Sequence, residues 1–197
     1  QMPRELTYKY NIIGIEQTRG GLYSPALNYL RIPIIQPASS AVKKILESPK
    51  IAEAVVKKFN RKMKRELSNN AIFGIVGMGS IGNALAENLS NQGHIVWVYD
   101  KENKIKSNNL IIATSMEDLV MNVNVIVGCT GKDISKDFQF RNKVLTDMIL
   151  ISCSSEDKEY NSLLQEANVD TNIIYLHPLN DLTFLSENGN KIRVLSG

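Results

Sequence analysis

The chain is 197 residues long, carries a formal net charge of +3, and is 43% apolar and 22% charged, the composition of an ordinary globular protein with room for a proper core. So small a charge gives no footing for a nucleic-acid partner, and no apolar run reaches the roughly 20 residues that cross a bilayer. Two cysteines, Cys129 and Cys153, are too few for a disulfide framework and sit in apolar, strand-like surroundings, so they are expected to be reduced and the protein cytoplasmic.

No secretory or lipidation signal is visible, and Gln1 ahead of Met2 is expected to be a remnant of tag cleavage. Residues 1–70 read mostly as helix, a lead-in arm, and residues 71–197 as a second domain. Ser39 and Ser40 can cap a short helix through Val42, Ile45 and Leu46, which Ser48-Pro49 punctuates. In the longer helix that follows, Ile51, Val55, Phe59, Met63 and Leu67 recur every four residues and form an apolar stripe opposite a basic face. The basic run Lys57–Arg65 includes Phe59, but this spacing buries Phe59 and Met63 and leaves the charges in water, which argues against RNA or DNA. The same stripe fits packing within the chain or across a dimer, and a homo-oligomer or a partner subunit is expected.

After residue 70, short apolar runs alternate with helical stretches: "AIFGIVG" from 71, "HIVWVYD" from 94, "LIIAT" from 110, "VNVIVGCT" from 123, "MILISCS" from 148 and "NIIYLH" from 172. Their continuous Val/Ile content suits strands covered on both faces, and the alternation is that of a doubly wound parallel α/β sheet. Asn188-Gly189 between "LTFLS" and "KIRVLS" is a hairpin signal, so an antiparallel ribbon is expected to close the chain.

Gly77, Gly79 and Gly82 follow the first of these runs directly and open a helix in which Ile81, Leu85 and Leu89 share a face. Glycines alone are weak evidence, but in this context each has a separate role. Gly77 permits a tight turn, Gly79 lets backbone amides approach a pyrophosphate, and Gly82 lets the helix lie close to the strand. The helix amino end, with Ser80 and Ile81, then holds phosphate. The second strand ends at Asp100, 18 residues after Gly82, where a carboxylate accepts both hydroxyls of an adenosine ribose and repels a 2′-phosphate; Lys101 weakens that exclusion slightly. The reading is a Rossmann-type domain that binds NAD rather than NADP, although an S-adenosylmethionine site shares some of these features. Cys129 and Cys153 lie near the expected cofactor edge and join the candidate set.

The chain also resembles adenosylhomocysteinase (S-adenosylhomocysteine hydrolase) over about residues 14–197. "EQTRG" from Glu16 to Gly20 is similar to that family's Glu-Thr-Thr-Thr-Gly stretch, "IPIIQPASSAVKK" to its lead into Asn-Asp-Ser-Val-Thr-Lys, and "VNVIVGCTGKD" to its strand ending in Thr-Thr-Thr-Gly beside the cofactor, with Thr130 and Gly131 kept as cofactor-binding positions. The resemblance implies a tightly bound NAD that oxidises a ribose 3′-hydroxyl, with Glu16 as a substrate-binding glutamate, Thr18 beside the cofactor and Lys43 as a catalytic lysine. An adenosine-type small molecule is then a further expected ligand. Glu47 stands where an aspartate is expected, and Ala38 and Ser48 replace two asparagines. Ser155 stands in the position of a catalytic histidine, and a serine does not exchange protons near neutral pH. With few residues ahead of Glu16 for a substrate domain, the chain alone is expected not to hydrolyse S-adenosylhomocysteine.

The residues by themselves leave Lys43 open to the plain reading of a solvated lysine beside Lys44. His94 reads as a turn residue. His177 ends the last parallel strand near the edge where ligands bind, and is more simply structural. No cysteine spacing matches a metal site. Three functions fit: a diverged member of the hydrolase family, a noncatalytic NAD-binding module, or an NAD-dependent dehydrogenase of another small alcohol or acid.

Overall fold

The structure, a computed structural model, describes residues 12–17, 25, 32–37, 40–63, 71–102, 105, 110–169, 174–176 and 181–195. Thr18, Ala38, Ser39, Leu67 and His177 lie outside these residues. The chain forms two compact units, Gln1–Ser48 and Pro49–Gly197.

In the first unit, β1 (Gly14–Ile15) pairs in parallel with β2 (Ile34–Ile35). Gly14 N–H donates to Pro33 O at 2.9 Å and Glu16 N–H to Ile35 O at 3.1 Å. Strands of two residues carry no readable alternation, which is why the helical reading of this region passes over them. Ser40 Oγ accepts the Lys43 N–H at 3.2 Å, the capping bond expected of it, and the turn it opens, Lys43–Glu47, is wound as a π-helix.

The chain enters the second unit through α1 (Ser48–Met63), which follows the π-helical turn Lys43–Glu47 without a break, Ser48 itself having helical backbone and donating its N–H to Lys43 O. Ser48-Pro49 therefore does not end the first helix as expected, and Pro49, which has no N–H, falls where the π winding gives way to α-helix. Its buried apolar residues are Ala52, Val56, Phe59 and Met63. The expected stripe through Ile51 and Val55 is offset, because a strict four-residue spacing drifts about 40° per step on a helix of 3.6 residues per turn. The sheet is then built from β3 (Ile72–Val76), β4 (Ile95–Tyr99), β5 (Ile111–Ile112), β6 (Val125–Gly128), β7 (Met148–Ser152), β8 (Ile174–Leu176), β9 (Asp181–Leu185) and β10 (Lys191–Leu195). Between them run α2 (Ser80–Asn91), α3 (Met116–Asn122), α4 (Phe140–Lys143), a 3-10 segment Ser155–Tyr160 and α5 (Asn161–Val169).

Sheet order is β5-β4-β3-β6-β7-β10-β9-β8. Every residue of β6 and β7 is buried, and successive residues go to opposite faces. Val125, Val127, Ile149 and Ile151 join Phe59, Phe73 and Leu85 in one core cluster, whereas Ile126, Met148 and Leu150 join Leu119, Phe140 and Tyr160 in the other. Two buried faces on the same strands are the physical content of a doubly wound sheet. β9 and β10 form the antiparallel hairpin announced by Asn188-Gly189, with Gly189 at φ 79°.

One expected neighbour is displaced. "NIIYLH" is expected to end the run of parallel strands, but among the described residues β8 pairs antiparallel with β9, at the outer edge, and β10 takes the parallel place beside β7. The hairpin folds back into the sheet with Ile192 and Val194 buried beside Met148 and Leu150 of β7 in one core cluster.

Candidate functional site

The order of the sheet reverses between β3 and β6, and ligands of such sheets lie outside the carboxyl ends of the strands at that reversal. The glycine run sits there. Gly77 has φ 94°, and a Cβ on it would come within 2.8 Å of Thr130 Cγ2 and 3.0 Å of the Cys129 backbone. A Cβ on Gly82 would lie 2.0 Å from Gly77 O, so only hydrogen lets α2 rest on the turn. Gly79, by contrast, faces open space within 4 Å of where its Cβ would stand. Gly79 is the N-cap of α2 without a side-chain cap, and no acidic residue lies in the first turn. The leading amides of Ser80, Ile81 and Gly82 have no intrahelical acceptor. An open, uncapped helix amino end with a side-chain-free approach fits the pyrophosphate of a dinucleotide.

Asp100 follows β4 and is tied to the turn: its Oδ2 accepts the Met78 N–H at 2.6 Å and its Oδ1 the Glu102 N–H at 2.8 Å. The carboxylate is thereby aimed across the mouth of the glycine turn. Asn83, which the sequence reading did not single out, braces the same turn by donating from Nδ2 to Met78 O and Gly79 O. A polar residue one position after the last glycine was the available signal. Lys101 Nζ pairs with Asp137 Oδ2 at 2.6 Å, an exposed contact that raises the lysine pKa and lowers that of the aspartate through their hydrogen bond and mutual charge.

The loop after β6 brings in Cys129, Thr130 and Gly131. Cys129 N–H donates to Val76 O at 2.8 Å and Cys153 N–H to Gly128 O at 3.0 Å, continuing the ladders past the strand ends. The two thiols are free, and that of Cys129 is raised well above its ordinary value by its hydrogen bond with Cys153, by burial and by the charge of Glu159. Cys129 is therefore not poised as a thiolate nucleophile. Among the described residues, no group of three or more His, Cys, Asp and Glu side chains could hold a metal ion, and no helix is long and apolar enough to cross a membrane.

Asp133 fastens this loop to α5. Its Oδ1 accepts from Ser135 N–H and Oγ–H, and its Oδ2 from Ser162 N–H at 2.8 Å and Oγ–H at 2.7 Å. Partial burial works against the charge, but the hydroxyls of Ser135 and Ser162 and the neighbouring amides outweigh it, and the carboxyl is held below its ordinary value. A depressed carboxyl stabilises the fold above its unfolded pKa, and that stability is lost as pH falls below about 4 and through the lower folded value. Asp133→Asn is expected to lower Tm at neutral pH and to flatten this acid limb. Thermal unfolding across pH reads both, and an unchanged acid limb would show that the carboxylate contributes nothing.

The structure thus brings together Gly77, Gly79, Ser80, Ile81, Gly82, Asp100, Lys101, Cys129, Thr130, Gly131 and Cys153 along one edge of the second unit. Glu16 and Lys43 belong to the first unit. There Lys43 Nζ donates to the carbonyl of Gln17 and lies 3.4 Å from Glu47 Oε2, which answers its charge locally.

Comparison with known proteins matches residues 72–177 to the NAD binding domain of 6-phosphogluconate dehydrogenase. Two uncharacterized proteins of Mycobacterium tuberculosis are each 31% identical over 153 residues, 78% of this chain but 29% of theirs. The chain therefore spans under a third of the length of these curated relatives. An NAD-dependent formate dehydrogenase from Staphylococcus aureus in complex with NAD superposes with TM-score 0.56 at 18% identity, covering 85% of this chain and 58% of that one. The NAD-complexed D-isomer specific 2-hydroxyacid dehydrogenase from Lactobacillus delbrueckii ssp. bulgaricus gives 0.53 at 18%, covering 84% and 56%.

These findings correct the resemblance to adenosylhomocysteinase. The family match and these structural neighbours are dehydrogenases, and neither hydrolysis of S-adenosylhomocysteine nor a place in one-carbon metabolism is supported. The physical reason is that strand, glycine turn, helix and terminal acid are what any dinucleotide unit of this kind needs, so they report the fold and cofactor and not the hydrolase. The roles of Glu16, Thr18 and Lys43 rest on that resemblance and go with it.

Proposed function

We infer function from the premise that this chain belongs to the family of the NAD binding domain of 6-phosphogluconate dehydrogenase, and we propose that it is the cofactor-binding part of an NAD-dependent dehydrogenase acting on a small 2-hydroxy acid. NAD is its cofactor. The observation that carries the proposal is the edge formed by the open approach at Gly79 beside the α2 amides and the braced carboxylate of Asp100. The D-2-hydroxyacid specificity of one neighbour supports the substrate class.

When bound, NAD supplies a hydride acceptor for oxidation of the alcohol carbon. The residues of this chain bind and orient. The amides of Ser80, Ile81 and Gly82 would meet the pyrophosphate, and Gly77 and Gly79 keep side chains out of its way. Asp100 would accept the adenosine ribose hydroxyls. Its charge would also repel a 2′-phosphate, and Lys101 offers little relief because Asp137 already answers it. Cys129, Thr130, Gly131 and Cys153 would shape the floor on the other side of the glycine turn.

Titration of the protein with NADH, followed by dihydronicotinamide fluorescence, tests the site. Asp100→Ala is expected to weaken NADH by about tenfold or more, the loss of one or two charge-assisted hydrogen bonds, while the preference over NADPH shrinks. Equal affinity of the variant and the parent would remove Asp100 from the site. Reduction of NAD on addition of a panel of 2-hydroxy acids tests the substrate class; NAD binding without turnover would favour a noncatalytic module.

A further inference from the structure

We propose that Glu159 is a positioning residue for the nicotinamide half of the dinucleotide, holding the loop after β6 against the exit of β7; this rests on the NAD-binding reading of the β3–β6 edge. Asp100 lies after β4, on one side of the reversal, and marks the adenosine end. A dinucleotide crossing the reversal then carries its other half over the ends of β6 and β7. That is where Glu159 gathers the chain.

Glu159 is 1% exposed, and its carboxylate binds groups from both strand exits. Oε1 accepts the Gly131 N–H at 3.0 Å, and Oε2 accepts the hydroxyls of Ser152 and Ser154. The two hydroxyls are also tied to each other and to the neighbouring backbone: Ser152 Oγ lies 3.1 Å from Ser154 Oγ and accepts the Ser154 N–H at 3.3 Å, and Ser154 Oγ accepts the Lys158 N–H at 3.1 Å. The main chain of Glu159 adds a second tie to the same loop, since its carbonyl accepts Ile134 N–H at 2.9 Å and Ser135 N–H at 3.3 Å. Gly128, the last residue of β6, has no room for a side chain because a Cβ would stand 2.6 Å from Glu159 Cγ and 2.7 Å from its Cβ. One buried acid therefore sets the spacing between Gly131 and Ser154, two points on the floor beneath the far half of the cofactor. It touches neither cofactor nor substrate in this scheme, and acts through the loop and the strand exit.

Glu159→Gln keeps the shape but replaces an acceptor oxygen with an NH₂ group, so Gly131 N–H or the two serine hydroxyls lose their acceptor, according to which oxygen it replaces. Affinities for NAD⁺ and for ADP-ribose, which lacks the nicotinamide, are measured by calorimetry on the full chain, with Tm recorded alongside. The expected result is a rise of about tenfold in the Kd for NAD⁺ with less than about twofold change for ADP-ribose. Equal weakening of both ligands, or no change in either, would overturn the proposal. Should Glu159→Gln fail to fold, Ser154→Ala removes one donor and is expected to give the same split at about threefold; equal effects on the two ligands would again overturn it. If the parent protein binds neither NAD⁺ nor ADP-ribose, the reading of the edge itself fails, whereas binding of both without the split in the variants rejects only the role of Glu159.

Discussion

Replacing Gly82 by alanine is expected to abolish measurable NAD binding and to lower stability by about 3 kcal/mol, the upper range for forcing extra volume into a packed site. The added methyl would stand 2.0 Å from the carbonyl oxygen of Gly77. Backbone cannot swing aside as a flexible side chain does, so α2 has to lift from the turn or the turn has to move. Either motion separates the α2 amides from the position that Gly77 and Asp100 define. Movement of the turn is further resisted by the Gly77 N–H bond to Tyr99 O at 2.9 Å and the Met78 N–H bond to Asp100. For a unit of this size the loss corresponds to a fall of about 9 °C in Tm. Thermal unfolding together with NADH titration would check it, and a variant with parental Tm and affinity would show that the helix does not rest on the turn.

Gly79→Val makes the opposite separation. Gly79 has φ −73° and ψ −163°, extended backbone open to any residue, and nothing within 4 Å of its Cβ position. The protein itself should accept the side chain with a Tm fall under about 4 °C, the roughly 1 kcal/mol that valine costs at a helix N-cap. The ligand should not accept it. Two methyl-bearing branches would fill the approach to the helix amino end, and affinity for NADH is expected to fall at least about a hundredfold, the loss of most of the charge-assisted contacts to the pyrophosphate. A stable variant that still binds NADH like the parent would mean that the pyrophosphate lies elsewhere. The pair is informative because the two glycines are three residues apart in one motif, yet one serves the fold and the other the ligand.

Most of the fold was readable along the chain because its signals are local. Continuous Val/Ile runs, glycines after the first strand, an acid after the second and Asn-Gly between two short strands each act over a few residues. They led correctly to a doubly wound sheet, a closing hairpin and NAD. They led wrongly to a family, because Glu16, Lys43 and the "VNVIVGCTGKD" stretch were matched by similarity of letters and not by a chemistry that excludes other dinucleotide domains. In the stripe of α1, Phe59 and Met63 are buried as spaced, but Ala52 and Val56 take the places expected of Ile51 and Val55, since counting by four ignores the drift of a helix with 3.6 residues per turn.

What no stretch of letters contained was partnership at a distance. Nothing in the sequence singles out Glu159, and only packing buries that acid among Gly131, Ser152 and Ser154. The place of β10 beside β7 was likewise decided by the sheet as a whole, because the apolar faces of Ile192 and Val194 compete for a covered position that β8 does not take. Local backbone preferences and short spacings are written in consecutive residues and survive without context. Burial of a charge and choice of a strand neighbour depend on which surfaces meet, and those are settled when the chain folds together.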